Sequence, residues 1–209
     1  EWVIDTDQLC YKISDKNIIS YFKEYDDSWT HVMGVDLGYN DATSFVIAAF
    51  NEKVSKKLYY PFADKQSGLD ITSVAEKIRY YQDRFKVQTV IVDGAAKQAV
   101  EEMRSRHGLS LIAAEKTGKS DFIEIMSSEM IQGNIVANET DAECLVDEWR
   151  NLVWTKDKRI ENPACENHAA DAALYAWRFC YNYHFQTPTF KPKVSEQQKV
   201  DQWFEKLEN

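Results

Sequence analysis

The segment VQTVIVD, residues 87–93, is the strongest constraint on the fold because it is mainly apolar and ends in an acid. It follows residues 70–85, in which Ile71, Val74 and Ile78 lie on the apolar stripe of an amphipathic helix. A strand that follows a helix and is apolar on both sides suits a parallel position in a sheet that helices cover on both faces. The segment therefore predicts an α/β fold.

The flanking segments predict the remaining elements of a mixed sheet. Three short runs rich in β-branched and aromatic residues are typical of an antiparallel meander, at residues 31–38, 43–50 and 56–62. Amphipathic patterns predict helices over 96–107, 120–132 and 167–184, and an apolar run predicts a buried strand over 109–114. Thr140 and Glu143 have the spacing of a capping box at the start of a further helix, the one that carries Trp149.

Composition divides the chain into three parts. Residues 1–30 are polar and aromatic without a clear period and predict an irregular lead-in, whereas residues 31–184 carry the alternating strands and helices. Residues 185–209 contain Pro and Lys and predict a linker and a C-terminal tail. The sequence begins at Glu1 without a methionine, so we expect a fragment or a processed form whose partner domains lie elsewhere.

The bulk composition narrows the class of protein. No apolar run approaches the length of a membrane span, and the N-terminus lacks a signal segment. The four cysteines form no CxxC pair. We therefore expect a reducing, intracellular setting. The net charge of −9 argues against a surface that binds nucleic acid throughout. That objection weakens if several acids bind divalent cations, because the cations locally reverse the sign of the field.

Two acids follow predicted strands. Asp36 lies in GVDLGYNDATSFV, where Gly38 allows a tight turn, so its carboxylate either faces the edge of the sheet or caps the turn. Asp93 ends the apolar strand, and ligands collect at the carboxyl ends of parallel strands in open α/β sheets. The alternative for Asp93 is an N-cap for a helix that begins near Ala95.

A third acid lies in the last predicted helix. Asp171 follows His168 by three residues, so both side chains project from one face and could share a metal ion. Burying this Asp between alanine pairs is costly unless its charge is compensated, and the small neighbours leave room for a carboxylate of another element. The alternative is a solvent-facing Asp that the helix N-terminus stabilises.

The combination of these segments resembles a known family. The strands that carry GVDLG, the strand end IVDGAA and the helix NHAADAALYAWR resemble the C-terminal nuclease domain of the large terminase subunit of tailed phages, over roughly residues 30–184. The resemblance implies a ribonuclease-H-like fold, with three antiparallel strands followed by parallel strands and flanking helices. It also implies an endonuclease that cleaves double-stranded DNA during viral genome packaging.

The resemblance carries site residues and cofactors with it. Asp36 matches the first-strand acid, Asp93 the second and Asp171 the helical acid, while His168 matches a histidine found in some members. The implied cofactors are two divalent metal ions, Mg²⁺ or Mn²⁺. Asp41 lies five residues after Asp36, where it is either an outer ligand of the same cluster or a plain turn residue.

The resemblance also implies partners. These are an ATPase domain on the same full-length chain, a small terminase subunit that selects the DNA, and a portal, in the cytoplasm of the infected bacterial host. No membrane partner is expected.

Basic residues supply candidate DNA contacts. Lys116 and Lys119 flank Gly118 beyond a strand end, a position suited to a phosphate. Lys156, Lys158 and Arg159 cluster in WTKDKRIEN, which resembles the place of a small hairpin near the DNA path of this family. For these five side chains the alternative is a solvated surface charge.

Two other functions remain open from the sequence. AAEKTGKS, residues 113–120, fits a relaxed phosphate-loop pattern with Ala113 in place of the first glycine, which would predict an ATPase. Against it, the later acids Asp147 and Glu148 lie on a helix and do not end an apolar strand. The third possibility is a non-catalytic DNA-binding or assembly module, against which the three acids argue.

Overall fold

The computed structural model describes residues 8–21, 28–38, 41–156 and 160–184, with side chains up to residue 181. The predicted linker and tail, residues 185–209, lie outside these residues. The chain divides into two compact units, Glu1–Phe179 and Cys180–Asn209, and the fold described below is that of the first.

The described residues form a seven-stranded mixed sheet in the order β1-β7-β4-β3-β2-β5-β6. Its strands are β1 (Ile18–Ile19), β2 (Thr30–Asp36), β3 (Ala42–Phe50), β4 (Leu58–Ser67), β5 (Thr89–Val92), β6 (Ile112–Ala113) and β7 (Ile135–Asn138). β2, β3 and β4 are antiparallel, whereas β5 pairs parallel with β2, β6 with β5, β7 with β4 and β1 with β7. The predicted antiparallel meander followed by parallel strands is therefore confirmed.

Helices cover both faces of the sheet. They are α1 (Ile71–Phe85), α2 (Lys97–Ser105), α3 (Lys119–Gln132), α4 (Glu143–Asn151) and α5 (His168–His184). The Asp70 side chain caps α1 by accepting the Ser73 N–H at 2.7 Å, and Gly133 ends α3 in the left-handed conformation. Among the described residues, none of the helices combines the length and the apolar character that crossing a membrane requires.

One face of the sheet packs against α1 and α2. Met33 of β2 and Phe45 of β3 belong to the same buried cluster as Ile78 of α1 and Met103 of α2. Burial of such apolar side chains stabilises the fold by roughly 1.5–3 kcal/mol each. The apolar stripe of residues 70–85 thus packs into this cluster, which confirms the predicted amphipathic helix.

The opposite face packs against α4 and α5. The Tyr60 hydroxyl of β4 donates to the Ala173 carbonyl of α5 at 2.9 Å, and its ring packs edge-on against Trp149 of α4. A Cβ atom built on Gly34 of β2 would lie 1.8 Å from the Ala172 carbonyl oxygen. Only a glycine therefore lets the backbone of α5 approach β2 this closely.

Three local expectations are corrected. Ala142, not Thr140, is the N-cap of α4, and it makes no side-chain cap; the Asn138 side chain instead accepts the N–H groups of Thr140 and Asp141. β6 is an exposed edge strand and not a buried one. The lead-in is not irregular throughout, because β1 extends the sheet beyond β7.

Gly34→Ala tests the close approach of α5 to β2. The added methyl group would meet a backbone carbonyl that cannot rotate away, so we expect the free energy of unfolding to fall by about 3 kcal/mol or more. Urea denaturation followed by tryptophan fluorescence measures this loss. Gly94→Ala is the matched control, because its nearest neighbour is the Ala113 side chain at 3.1 Å and a smaller loss is expected. Equal stability of Gly34→Ala and wild type would contradict the packing.

His31 of β2 predicts a pH dependence of stability. Burial lowers the pKa of His31 from 6.5 to about 4, so the folded protein holds it neutral where the unfolded chain becomes protonated. Stability is therefore lost as pH falls from about 6.5 to about 4, by up to roughly 3 kcal/mol at 1.36 kcal/mol per pH unit. Urea denaturation at pH 7 and pH 4.5 should show a smaller difference for His31→Leu than for wild type. Equal differences would contradict the prediction.

Candidate metal centre

The ends of β2 and β5 place two acids side by side. Val35 pairs with Val92 in the parallel register, and the Asp93 N–H donates to the Val35 carbonyl at 3.0 Å. Adjacent strands lie about 4.8 Å apart, so Asp36 and Asp93 are neighbours at one edge of the sheet. Asp36 is buried, and Asp93 is partly buried.

The first turns of α5 lie against the same edge. The Nδ1 atom of His168 is 3.0 Å from an Asp36 carboxylate oxygen, and the Tyr175 hydroxyl donates to the other oxygen at 3.2 Å. Burial raises the pKa of Asp171 to about 7, and the charges of Glu161 and Asp36 add to this rise while Lys119 opposes it. α5 therefore brings His168, Asp171 and Tyr175 into electrostatic contact with the strand acids.

Each of the three predicted acids has a positively charged partner from this chain. Lys116 Nζ lies 2.7 Å from Asp93, and Lys119 Nζ lies 2.6 and 2.8 Å from the two oxygens of Asp171. The hydrogen bond to Asp36 is the main reason that the pKa of His168 rises to about 9, so the imidazole is protonated at neutral pH. These partners compensate the charge of carboxylates that would be costly to bury alone.

Glu161 and Tyr175 belong to the cluster although they were not predicted. Glu161 shares the ammonium group of Lys119 with Asp171. Burial raises the pKa of Tyr175 far above its ordinary value, and the charges of Asp171, Asp36 and Asp93 add to this effect. Tyr175 follows Asp171 by four residues and therefore lies on the same face of α5. This spacing could have identified Tyr175 from the sequence.

Asp41 and the remaining basic residues are placed differently. Asp41 is exposed, and its carboxylate lies 3.0 Å from Nε2 of His168, so it reaches the cluster through the imidazole. Lys156 is exposed at a turn, while Lys158 and Arg159 lie outside the described residues.

Positively charged side chains of this chain contact each of the three acids. Within the part of the chain that the structure describes, no group of three or more His, Cys, Asp or Glu side chains is arranged to hold a metal ion. The acids instead form separate pairs with Lys116, Lys119 and His168. Binding a metal ion between Asp93 and Asp171 would therefore require their lysine partners to move.

The same contacts argue against a phosphate loop at residues 113–120. Lys119, which would bind phosphates, is engaged by Asp171 and Glu161. The Glu115 side chain accepts the Thr117 N–H at 2.7 Å, so a carboxylate occupies a backbone donor that a phosphate would need.

Comparison with known proteins gives one curated relative and several solved folds. The chain is 25% identical over 173 residues to the terminase large subunit of Escherichia phage T5, a match that covers 81% of this chain. The chain spans 38% of the length of that relative. No family model matches the chain.

The solved structures establish the fold. The large terminase nuclease domain of P22 superposes with a TM-score of 0.67 at 14% identity, covering 82% of this chain and 91% of that domain. The large terminase nuclease domain of bacteriophage SPP1, solved with bound Mn, gives a TM-score of 0.62 at 16% identity and covers 78% of this chain and 96% of that domain. The chain thus has the ribonuclease-H-like fold of the large-terminase nuclease domains, and its resemblance to this family is confirmed.

Proposed function

We propose that this chain is a metal-dependent endonuclease that cleaves double-stranded DNA during phage genome packaging, in the cytoplasm of the infected host. The observation that supports it most is the meeting of Asp36 and Asp93, on adjacent parallel strands, with the first turns of α5. Ligands bind at this edge in open α/β sheets. The relative from phage T5 and the nuclease-domain folds support the same function.

The donor set fits hard divalent cations. Asp36, Asp93 and Asp171 supply carboxylate oxygens, which Mg²⁺ and Mn²⁺ prefer. The imidazole of His168 would favour Mn²⁺ after losing its proton, because only the neutral ring binds a metal ion. We propose that the three acids hold two ions, with Asp41 as an outer ligand. The Mn-bound nuclease domain of SPP1, which shares this fold, supports a divalent cofactor.

Lysines of this chain would balance the negative charge of the acids and of the DNA phosphates during cleavage. When bound, divalent ions would lower the pKa of a bound water and stabilise the leaving oxygen of the phosphodiester. Lys116 pairs with Asp93, and Lys119 pairs with Asp171. Once they leave these acids, both ammonium groups become available to DNA phosphates, which is the role proposed for them together with Lys156, Lys158 and Arg159.

The negative net charge is compatible with a nuclease that holds DNA through other domains. The chain spans 38% of the T5 relative, so we propose that the full-length protein also contains the terminase ATPase domain. A small terminase subunit and a portal would be further partners. Residues 31–184 would form the nuclease domain and residues 185–209 a linker and tail.

Replacing the acids tests the proposal. Incubation of the chain with supercoiled plasmid and Mn²⁺ or Mg²⁺ should give nicked and linear DNA, and EDTA should abolish it. Asp36→Ala, Asp93→Ala and Asp171→Ala should each slow cleavage by roughly 100-fold or more, because each removes a ligand that positions and charges the ions. Asp83→Ala, an exposed acid of α1, is the matched control and should cut like wild type. Unchanged cutting by all three variants would refute the assignment.

Metal binding also predicts a thermal shift. A ligand that binds only the folded state stabilises it, by about 2.7 kcal/mol at a concentration 100 times its Kd. We therefore expect Mn²⁺ to raise the Tm of wild type, and EDTA to reverse the rise. Asp93→Asn should lose most of the Mn²⁺-dependent shift. An equal shift in wild type and Asp93→Asn would place the ion elsewhere.

A further inference from the structure

A buried carboxylate behind the candidate site links three elements. Glu148 of α4 has a side chain only 3% exposed, and it contacts both β4 and α5. We propose that Glu148 is a positioning residue, which fixes the first turn of α5 and thereby sets the metal affinity of the site. This inference rests on the proposed function, because it concerns the orientation of the proposed ligands.

The contact with α5 falls between the two helical ligands. Glu148 Oε2 accepts the N–H of Ala170 at 2.8 Å, and Ala170 lies between His168 and Asp171. The N–H groups of the first helical turn lack partners within the helix, and a carboxylate there also interacts favourably with the helix dipole. A displacement of this turn would move His168 and Asp171 together.

The contact with β4 holds the carboxylate in place. Glu148 Oε1 lies 2.8 Å from Nζ of Lys65, whose side chain is 19% exposed. Lys65 also pairs with Glu166, two residues before α5 begins, at 2.6 Å. Lys65 therefore ties Glu148 to the central part of the sheet and to the segment that leads into α5.

An ion pair that only stabilised the fold would not need a buried carboxylate with both oxygens engaged, one of them at the start of α5. Burying Glu148 costs free energy that a similarly sized apolar side chain would avoid, unless the charge makes specific contacts. Both oxygens of Glu148 are used, one for the Ala170 N–H and one for Lys65. Groups outside the first ligand shell that orient ligands typically change metal affinity by roughly 10–100-fold when they are replaced.

The neighbouring strand position supplies a matched control. Asp64 precedes Lys65 in β4, faces the other side of the sheet and pairs with Lys77 of α1 at 2.6 Å. Both members of this pair are about one quarter exposed, at 27% and 28%. Asp64→Asn breaks an ion pair of the same strand without touching α5.

The test compares Mn²⁺ affinity with stability. Isothermal titration calorimetry gives the Mn²⁺ Kd, and thermal melting in EDTA gives the stability of each variant without metal. Glu148→Met, which has no acceptor for the Ala170 N–H, should weaken Mn²⁺ binding about 10-fold or more. Glu148→Gln retains an acceptor and should recover part of that loss, whereas Asp64→Asn should leave the Kd within about two-fold of wild type.

The outcomes separate this inference from the proposed function. A wild-type Kd in folded Glu148→Met would overturn the positioning role even if its Tm fell. If Glu148→Met fails to fold in EDTA, Lys65→Met provides the test, because it removes the ammonium group that holds the Glu148 carboxylate. Lys65→Met should then weaken Mn²⁺ binding. An unchanged Kd would overturn the inference. Absence of Mn²⁺ binding and plasmid cleavage in wild type would instead refute the proposed function.

Discussion

The close approach of α5 to β2 is the contact on which the candidate site depends. Gly34 leaves no room for a side chain beneath the Ala172 carbonyl, and α5 carries five buried alanines around this contact, namely Ala169, Ala170, Ala172, Ala173 and Ala176. Small residues on both elements let the backbones meet, so the start of the helix reaches the end of the strand. Asp36 lies two residues after Gly34 on the same face of β2 and therefore meets His168.

Electrostatic compensation is the second constraint on this edge. Carboxylates from two strands and a helix are concentrated in a partly buried region, where burial, together with the like charges of Glu161 and Asp36, raises the pKa of Asp171. The chain supplies Lys116, Lys119 and the protonated His168 as partners. These side chains compensate the charge of the acids, and divalent ions would take over that compensation.

Some residues of the candidate site could be predicted from the sequence because the pattern that indicates each of them lies within a single strand or helix. Asp93 ends an apolar strand, and Asp171 shares a helix face with His168, so both patterns were visible. Lys116 and Lys119 were predicted only as DNA contacts. Glu161 and the pairing of these lysines with the acids could not be predicted, since they arise from contacts between residues far apart in the chain, such as Lys119 with Asp171. β1 was missed for the same reason, because it is two residues long and is defined by its pairing with β7.

The proposed function requires Asp36, Asp93 and Asp171 to converge on divalent ions where α5 meets the sheet edge. A crystal structure of the chain with Mn²⁺, with anomalous difference maps, would locate these ions. We expect Mn²⁺ peaks within about 2.0–2.3 Å of oxygens from these three acids, with Lys116 and Lys119 displaced from Asp93 and Asp171. Saturating Mn²⁺ with no peak at these carboxylates, and both lysine pairs intact, would contradict this expectation.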